Sequence, residues 1–91
     1  IAFTAQVQPN PFNPLTRIAW TAPRAGRLEL KVYDLRGRLV RTLVDGPVAD
    51  GPGFRDWDGT DGRGAQVASG VYLYRATTAR GAATGRAVLV K

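Results

Sequence analysis

The 91-residue sequence contains no cysteine and no histidine. Without cysteine there is no disulfide, no thiol nucleophile and no thiolate metal site. Without histidine the side chain that titrates near neutrality is gone, together with the commonest metal ligand. A Ser-His-Asp arrangement is thereby excluded. No apolar run approaches the ~18 residues of a membrane-spanning helix, so membrane insertion is not expected. Helical periodicity is also missing. Glycine and proline together make 17 residues, and no stretch carries apolar positions at i, i+3, i+4 and i+7 through three turns. The first residues show no charged region followed by an apolar stretch, so no signal peptide is read there. With Ile1 in place of an initiator methionine, the chain is expected to be a piece of a longer protein. The lack of cysteine leaves the redox compartment open.

What is present is globular in composition, 44% hydrophobic and 22% charged. A chain of this length is expected to form one domain, 1–91, with one core. Such a domain buries roughly 60–65% of the surface its unfolded chain exposes. Nearly every large apolar side chain is needed for that core, which argues against a deep catalytic cleft.

The net charge of +6 raises nucleic-acid binding as a reading. Its distribution argues against it. Residues 1–45 carry seven basic and three acidic side chains and residues 46–91 carry six and four, an excess of +4 and +2. Eleven of the thirteen basic residues are arginines scattered over strand-like and turn segments. No nucleic-acid partner is expected.

Alternation is the recurring pattern. Leu28, Leu30 and Val32 fall on one face and Arg27, Glu29 and Lys31 on the other, as in a half-buried strand. Ile18 and Trp20 alternate with Arg17, Ala19 and Thr21, and Phe3, Ala5 and Val7 with Thr4, Gln6 and Gln8. Residues 38–45 break the period of two at Leu39, Val40, Leu43 and Val44, which points to a bulge. Further strands are read over 54–57, 70–78 and 84–90. In the sixth, Tyr72 and Tyr74 are expected inward because their face continues with Ala76, whereas the Val71 face continues with Arg75. Seven short strands between Gly, Pro and Asp turns predict an all-β fold, a seven-stranded antiparallel sandwich of immunoglobulin or fibronectin III type, with a small barrel as the alternative. Asp34 opens a tight turn in which Gly37 takes a positive φ.

Chemistry is sought first in residues 56–64, where Asp56, Asp58 and Asp61 lie among three glycines. Hard cations take carboxylate and carbonyl oxygens on such loops, which makes Asp58 and Asp61 the candidate calcium ligands. The alternating Asp-x-Asp-x-Asp and distal Glu of an EF-hand are absent. The competing reading is turn architecture, with Asp side chains bonded to nearby N–H groups. No other cofactor is implied. Asp56 and Asp58 on one strand face are considered as an acid–base pair, but such pairs need a walled cleft. Ser69 with Lys31 or Lys91 has no supporting motif, and the Gly59 to Gly64 stretch lacks the following helix of a phosphate loop. No catalytic residue is assigned, and the chain is not read as an enzyme. Of eight aromatics, only Tyr33 and Phe12 are expected outside the core, too few for a carbohydrate-stacking row. Trp57 and Trp20 are expected to pack across the two sheets.

Five blocks then resemble one family along almost the whole chain. These are Pro9-Asn10-Pro11-Phe12-Asn13-Pro14, residues 32–43 around Asp34-Leu35-Arg36-Gly37-Arg38, Trp57-Asp58-Gly59, Ala68-Ser69-Gly70-Val71-Tyr72, and the terminal Ala87-Val88-Leu89-Val90-Lys91. The chain resembles the immunoglobulin-like domain first named from the flagellar hook-capping protein, the FlgD type, and the similar C-terminal sorting domain of type IX secretion. The Pro-Asn-Pro block, Gly70-Val71-Tyr72 and Lys91 match the second branch. Trp57-Asp58-Gly59 and the Asp61 turn match the first.

The resemblance implies a noncatalytic C-terminal module of a secreted or cell-surface protein of a Gram-negative bacterium, carried through the periplasm. Its implied partners are the outer-membrane export and attachment machinery and a covalently linked upstream domain. The alternative is a structural or accessory module of an extracellular hydrolase: a spacer, a stabiliser or a carbohydrate-contact domain. A sorting signal is read through its surface, so the recognition residues are expected in the matching blocks: Asp34, Arg36, Gly37 and Arg38 at the turn, and Val88, Leu89, Val90 and Lys91 at the end. Each has a plainer role beside it, namely turn capping, solubility or an edge strand.

Overall fold

The computed structural model describes residues 3–13 and 15–90; Lys91, a recognition candidate, and Pro14 of the proline block lie outside them. Seven strands follow in order: β1 (Thr4–Gln8), β2 (Thr16–Ala22), β3 (Gly26–Tyr33), β4 (Leu39–Val48), β5 (Gly51–Trp57), β6 (Gly70–Thr78) and β7 (Gly81–Leu89). They form a three-stranded sheet, β1-β2-β5, and a four-stranded sheet, β4-β3-β6-β7, with every strand pair antiparallel. This is the expected immunoglobulin-like sandwich. In the constant-type immunoglobulin arrangement the fourth strand joins the first sheet. Here β4 stays beside β3.

The alternation seen in sequence is what the strands bury. Thr16, Ile18, Trp20 and Ala22 of β2 point inward, and Leu28, Leu30 and Val32 of β3 face them from the other sheet with no exposed surface. Tyr72, Tyr74 and Ala76 fill the inner face of β6, as their face continuity predicted, while Leu73 and Arg75 stand outward. The irregular stretch in β4 carries two bulges. Leu30 pairs with Val44 and Lys31 with Thr42, skipping Leu43; Val32 pairs with Arg41 and Tyr33 with Leu39, skipping Val40.

Three expectations are corrected. Phe12 is a core residue, 2% exposed, its ring 5.4 Å from that of Trp57. It reaches the core because its segment runs beside β7, in a parallel bridge with Leu89. Trp20 and Trp57 do not face each other across the sandwich. They stand in one sheet, where Trp20 is opposite Gly53 and Trp57 opposite Thr16. The ring that meets Trp57 edge-on from the second sheet is Tyr72, at 5.3 Å. Phe54, expected inside, is 48% exposed on the outer face of β5, because the inward parity of that strand belongs to Gly53 and Trp57.

Two tyrosine hydroxyls of β6 are anchored on backbone carbonyls, one locally and one across the sandwich. The Tyr72 hydroxyl donates to the Ala68 carbonyl at 2.6 Å, the tyrosine corner of immunoglobulin-like sandwiches. The Tyr74 hydroxyl crosses to the Ala5 carbonyl of β1 at 3.3 Å. Each ring buries a large apolar area while its polar tip finds a backbone acceptor.

Candidate functional site

The turn at residues 34–38 is organised by one side chain. Asp34 Oδ1 accepts hydrogen bonds from the backbone N–H groups of Arg36 and Arg38, both at 2.9 Å, and Oδ2 accepts from Arg38 Nε at 3.1 Å. The Gly37 N–H donates to the Asp34 carbonyl and the Asp34 N–H to the Arg38 carbonyl, each at 3.0 Å, with Gly37 at φ 83°. Hydrogen bonds to the ionised form favour ionisation. The Arg38 N–H, first, and then the Arg38 guanidinium and the Arg36 N–H hold the Asp34 carboxyl below its ordinary pKa, against partial desolvation. The result is a rigid turn that presents Arg36, whose guanidinium has no acidic partner among the described residues.

The same framework recurs at residues 61–65. Asp61 Oδ1 accepts from the N–H groups of Arg63 at 2.9 Å and Ala65 at 3.0 Å, Gly64 N–H donates to the Asp61 carbonyl at 3.0 Å, and Gly64 has φ 83°. Both turns read Asp-x-Arg-Gly. That repeated spelling is the signal by which sequence reading could have paired them.

The calcium candidates are therefore committed to backbone and side-chain donors. Asp58 Oδ1 accepts from the Thr60 N–H at 3.2 Å and from the Thr60 hydroxyl, with Arg41 at 3.7 Å. The Thr60 hydroxyl is the main cause that lowers the Asp58 pKa. Arg41 also bonds the Thr60 hydroxyl and the Asp61 carbonyl, and Trp57 Nε1 donates to the Thr60 carbonyl at 2.8 Å. The loop so held staples the end of β5 to β4, where Gly62 N–H donates to the Val40 carbonyl at 3.0 Å. Among the described residues no three acidic groups gather as a metal set. Nor do Asp56 and Asp58 form a pair. Asp56 lies on the outer face of β5, bonded to Arg17 Nε at 2.9 Å, and that guanidinium covers the Phe54 ring at 3.8 Å.

The terminal block differs from the exposed strand expected of it. Leu89 is 1% exposed and belongs to the core, and Val88 is half-buried; Val90 is exposed. The strand edge is occupied as well. Asn10 acts as a one-residue strand, its side chain donating to the Arg86 carbonyl at 3.0 Å and accepting from the Val88 N–H at 2.8 Å. Phe12 continues the ladder, its N–H donating to the Val88 carbonyl at 2.8 Å and its carbonyl accepting from the Val90 N–H at 2.9 Å. The proline block thus has a structural task that its sequence did not disclose, since its partner lies at the other end of the chain.

The topology nevertheless brings the two recognition blocks to one end of the four-stranded sheet. Tyr33, the last residue of β3, is in register with Leu73 of β6, and Leu73 with Arg86 of β7. The 34–38 turn begins directly after Tyr33. Between turn and β7 lies an open, shallow groove lined by Tyr33, Gly37, Leu73, Arg75, Thr84 and Arg86. This surface presents a half-buried aromatic ring, apolar side chains and guanidinium groups on the outer face of the sheet.

Comparison with known proteins places the chain in a family and a fold. The family model of the FlgD Ig-like domain matches residues 10–82. Among solved structures, the chain is similar to dimeric latent PorU from Porphyromonas gingivalis, with a TM-score of 0.73 and 23% identity over 99% of this chain and 10% of that one. It is also similar to FlgD from P. aeruginosa, with a TM-score of 0.68 and 20% identity over 90% of this chain and 65% of that one. At these identities the likeness is one of fold. The chain spans a tenth of the PorU chain and just under two thirds of the FlgD chain. No curated protein sequence matches it.

Proposed function

Because this chain belongs to the FlgD Ig-like domain family, we propose that it serves as a noncatalytic module of a longer secreted or cell-surface protein, recognised by the type IX export and attachment machinery of a Gram-negative bacterium. The observation that carries the proposal is that the exposed 34–38 turn and the C-terminal residues of β7 lie at one end of the four-stranded sheet, beside an open groove lined by Gly37 of the turn and by Thr84 and Arg86 from the middle of β7. The fold likeness to PorU and to FlgD is shared by both branches, and the type IX reading rests on the Pro-Asn-Pro, Gly70-Val71-Tyr72 and Lys91 blocks of the sequence. The carboxylates considered for catalysis and for calcium hold turns and ion pairs, which supports a structural role for them. Signals of this kind are read on the folded surface, and rigid turns on a sandwich present side chains for reading at little conformational cost.

The test is export of a passenger. A periplasmic reporter fused ahead of residues 1–91 is expressed in a bacterium with a working type IX system, and added protease reports its surface exposure on intact cells. The proposal expects a cleavable surface reporter. Retention in the periplasm would overturn it and favour a spacer or stabilising domain. Deletion of residues 88–91 is a poor version of this test, because it removes buried Leu89 and the ladder to Phe12.

A further inference from the structure

Three of the six large apolar side chains exposed among the described residues gather at the end of the four-stranded sheet already described: Leu35, 68% exposed; Leu39, 53%; and Leu73, 37%. Two of them are aligned. Leu39, Tyr33 and Leu73 occupy one cross-strand row over β4, β3 and β6, and Arg86 completes it on β7. Neighbouring strands lie about 4.8 Å apart, so the apolar stripe from Leu39 to Leu73 is roughly 10 Å long and Arg86 stands at its end. A single exposed leucine needs no explanation, but Leu39 and Leu73 with Tyr33 between them form a contiguous apolar row on the outer face.

The charge around the stripe is uneven. Arg75 is in register with Lys31 and Thr84, one row from Arg86, and so stands diagonal to it at side-chain reach. Neither Arg75, Arg86 nor Arg36 on the turn has an acidic partner among the described residues. The acids of this face are already engaged farther along the strands: Glu29 pairs with Lys31 at 3.1 Å and Asp45 with Arg27. Asp34 is tied to Arg38. The end bearing the apolar stripe is left with uncompensated guanidinium groups.

Resting on the proposed recognition role, we propose that this stripe docks a protein partner whose contact surface is apolar at its centre and carries carboxylates where it meets Arg75 and Arg86. The apolar row stands on the flat of a sheet, which suits a complementary protein surface. Guanidinium groups beside buried apolar area are best compensated by carboxylates, which they bind bidentately. Tyrosine and arginine are also the side chains on which interface energy concentrates.

The chain, labelled with nitrogen-15, is titrated with a short peptide alternating glutamate and leucine, its lysine–leucine counterpart, and phosphatidylglycerol vesicles. The glutamate peptide should shift the amides of Tyr33, Leu73, Arg75 and Arg86, with a salt-dependent affinity. The Arg75→Glu/Arg86→Glu variant should bind it at least about tenfold more weakly. Arg55→Glu on the other sheet should bind like the unaltered chain, and melting curves should show all forms equally folded. Equal binding of the lysine peptide, shifts mapping elsewhere, binding of vesicles only, or no binding to the glutamate peptide would overturn the proposal. Failure of the reporter to reach the cell surface would overturn the export reading while leaving peptide docking intact.

Discussion

A single methyl group at Gly85 should unsettle the join between the two sheets. Gly85 of β7 is directly opposite Tyr74 of β6, whose ring lies across the glycine and whose hydroxyl reaches the Ala5 carbonyl. A Cβ at position 85 would sit 2.5 Å from two carbons of that ring. The ring must move, and the bond to β1 moves with it. Overpacking of this kind costs about 1–3 kcal/mol. Alanine returns about 0.4–1 kcal/mol by restricting the unfolded chain. The net loss for Gly85→Ala is then roughly 1–2 kcal/mol, a fall in Tm of about 5–15 °C for a domain this size. Urea and thermal melts followed by circular dichroism measure it. Gly46→Ala is the control, because no atom lies within 4 Å of the added methyl. In a Tyr74→Ala background the cost of Gly85→Ala should vanish, a coupling of about 1–2 kcal/mol. Equal effects of the two glycine variants, or an unchanged cost without the Tyr74 ring, would refute the reasoning.

Other consequences are as direct. Phe12→Ala should destabilise by roughly 3–5 kcal/mol in a denaturant melt, because its ring is buried against Trp57; a loss under about 1 kcal/mol would place it outside the core. Stability should be flat across neutral pH, since no histidine is present. Asp34, Asp45 and Asp58 have lowered pKa values in the fold, chiefly through the Arg38 N–H, Arg27 and the Thr60 hydroxyl respectively. Their contribution is present above the unfolded value of about 3.9 and is lost as pH falls through the lower folded values. Burial raises Tyr72 and Tyr74, so their contribution holds below the unfolded value of about 10 and is lost as pH rises through the higher folded ones. A Tm profile against pH should therefore show a plateau with an acid and an alkaline limb.

Strand positions and their buried faces were legible because period-two alternation is local. Leu28, Leu30 and Val32 needed no partner to be read, and the failed alternation at Leu43 and Val40 marked the bulges. Which strands are neighbours was not legible. Trp57 and Trp20 share a sheet only because β5 pairs with β2, and nothing in either segment says so. Phe12 was misjudged for the same reason, and the role of Asn10 was not legible, since their partners in β7 are more than 70 positions away. At the candidate site, the Asp34 turn was readable from its own residues. The groove was not, because Tyr33, Leu73 and Arg86 meet only through register across three strands.

The central claim is that this chain acts by presenting one end of its four-stranded sheet to a partner. Its most direct test is the fraction of fused reporter that reaches the surface of a type IX-competent cell when single charges are reversed. Arg36→Glu and Arg86→Glu should trap the reporter in the periplasm, while Arg55→Glu, on the other sheet, should leave it displayed. Equal display of all three variants would contradict the claim.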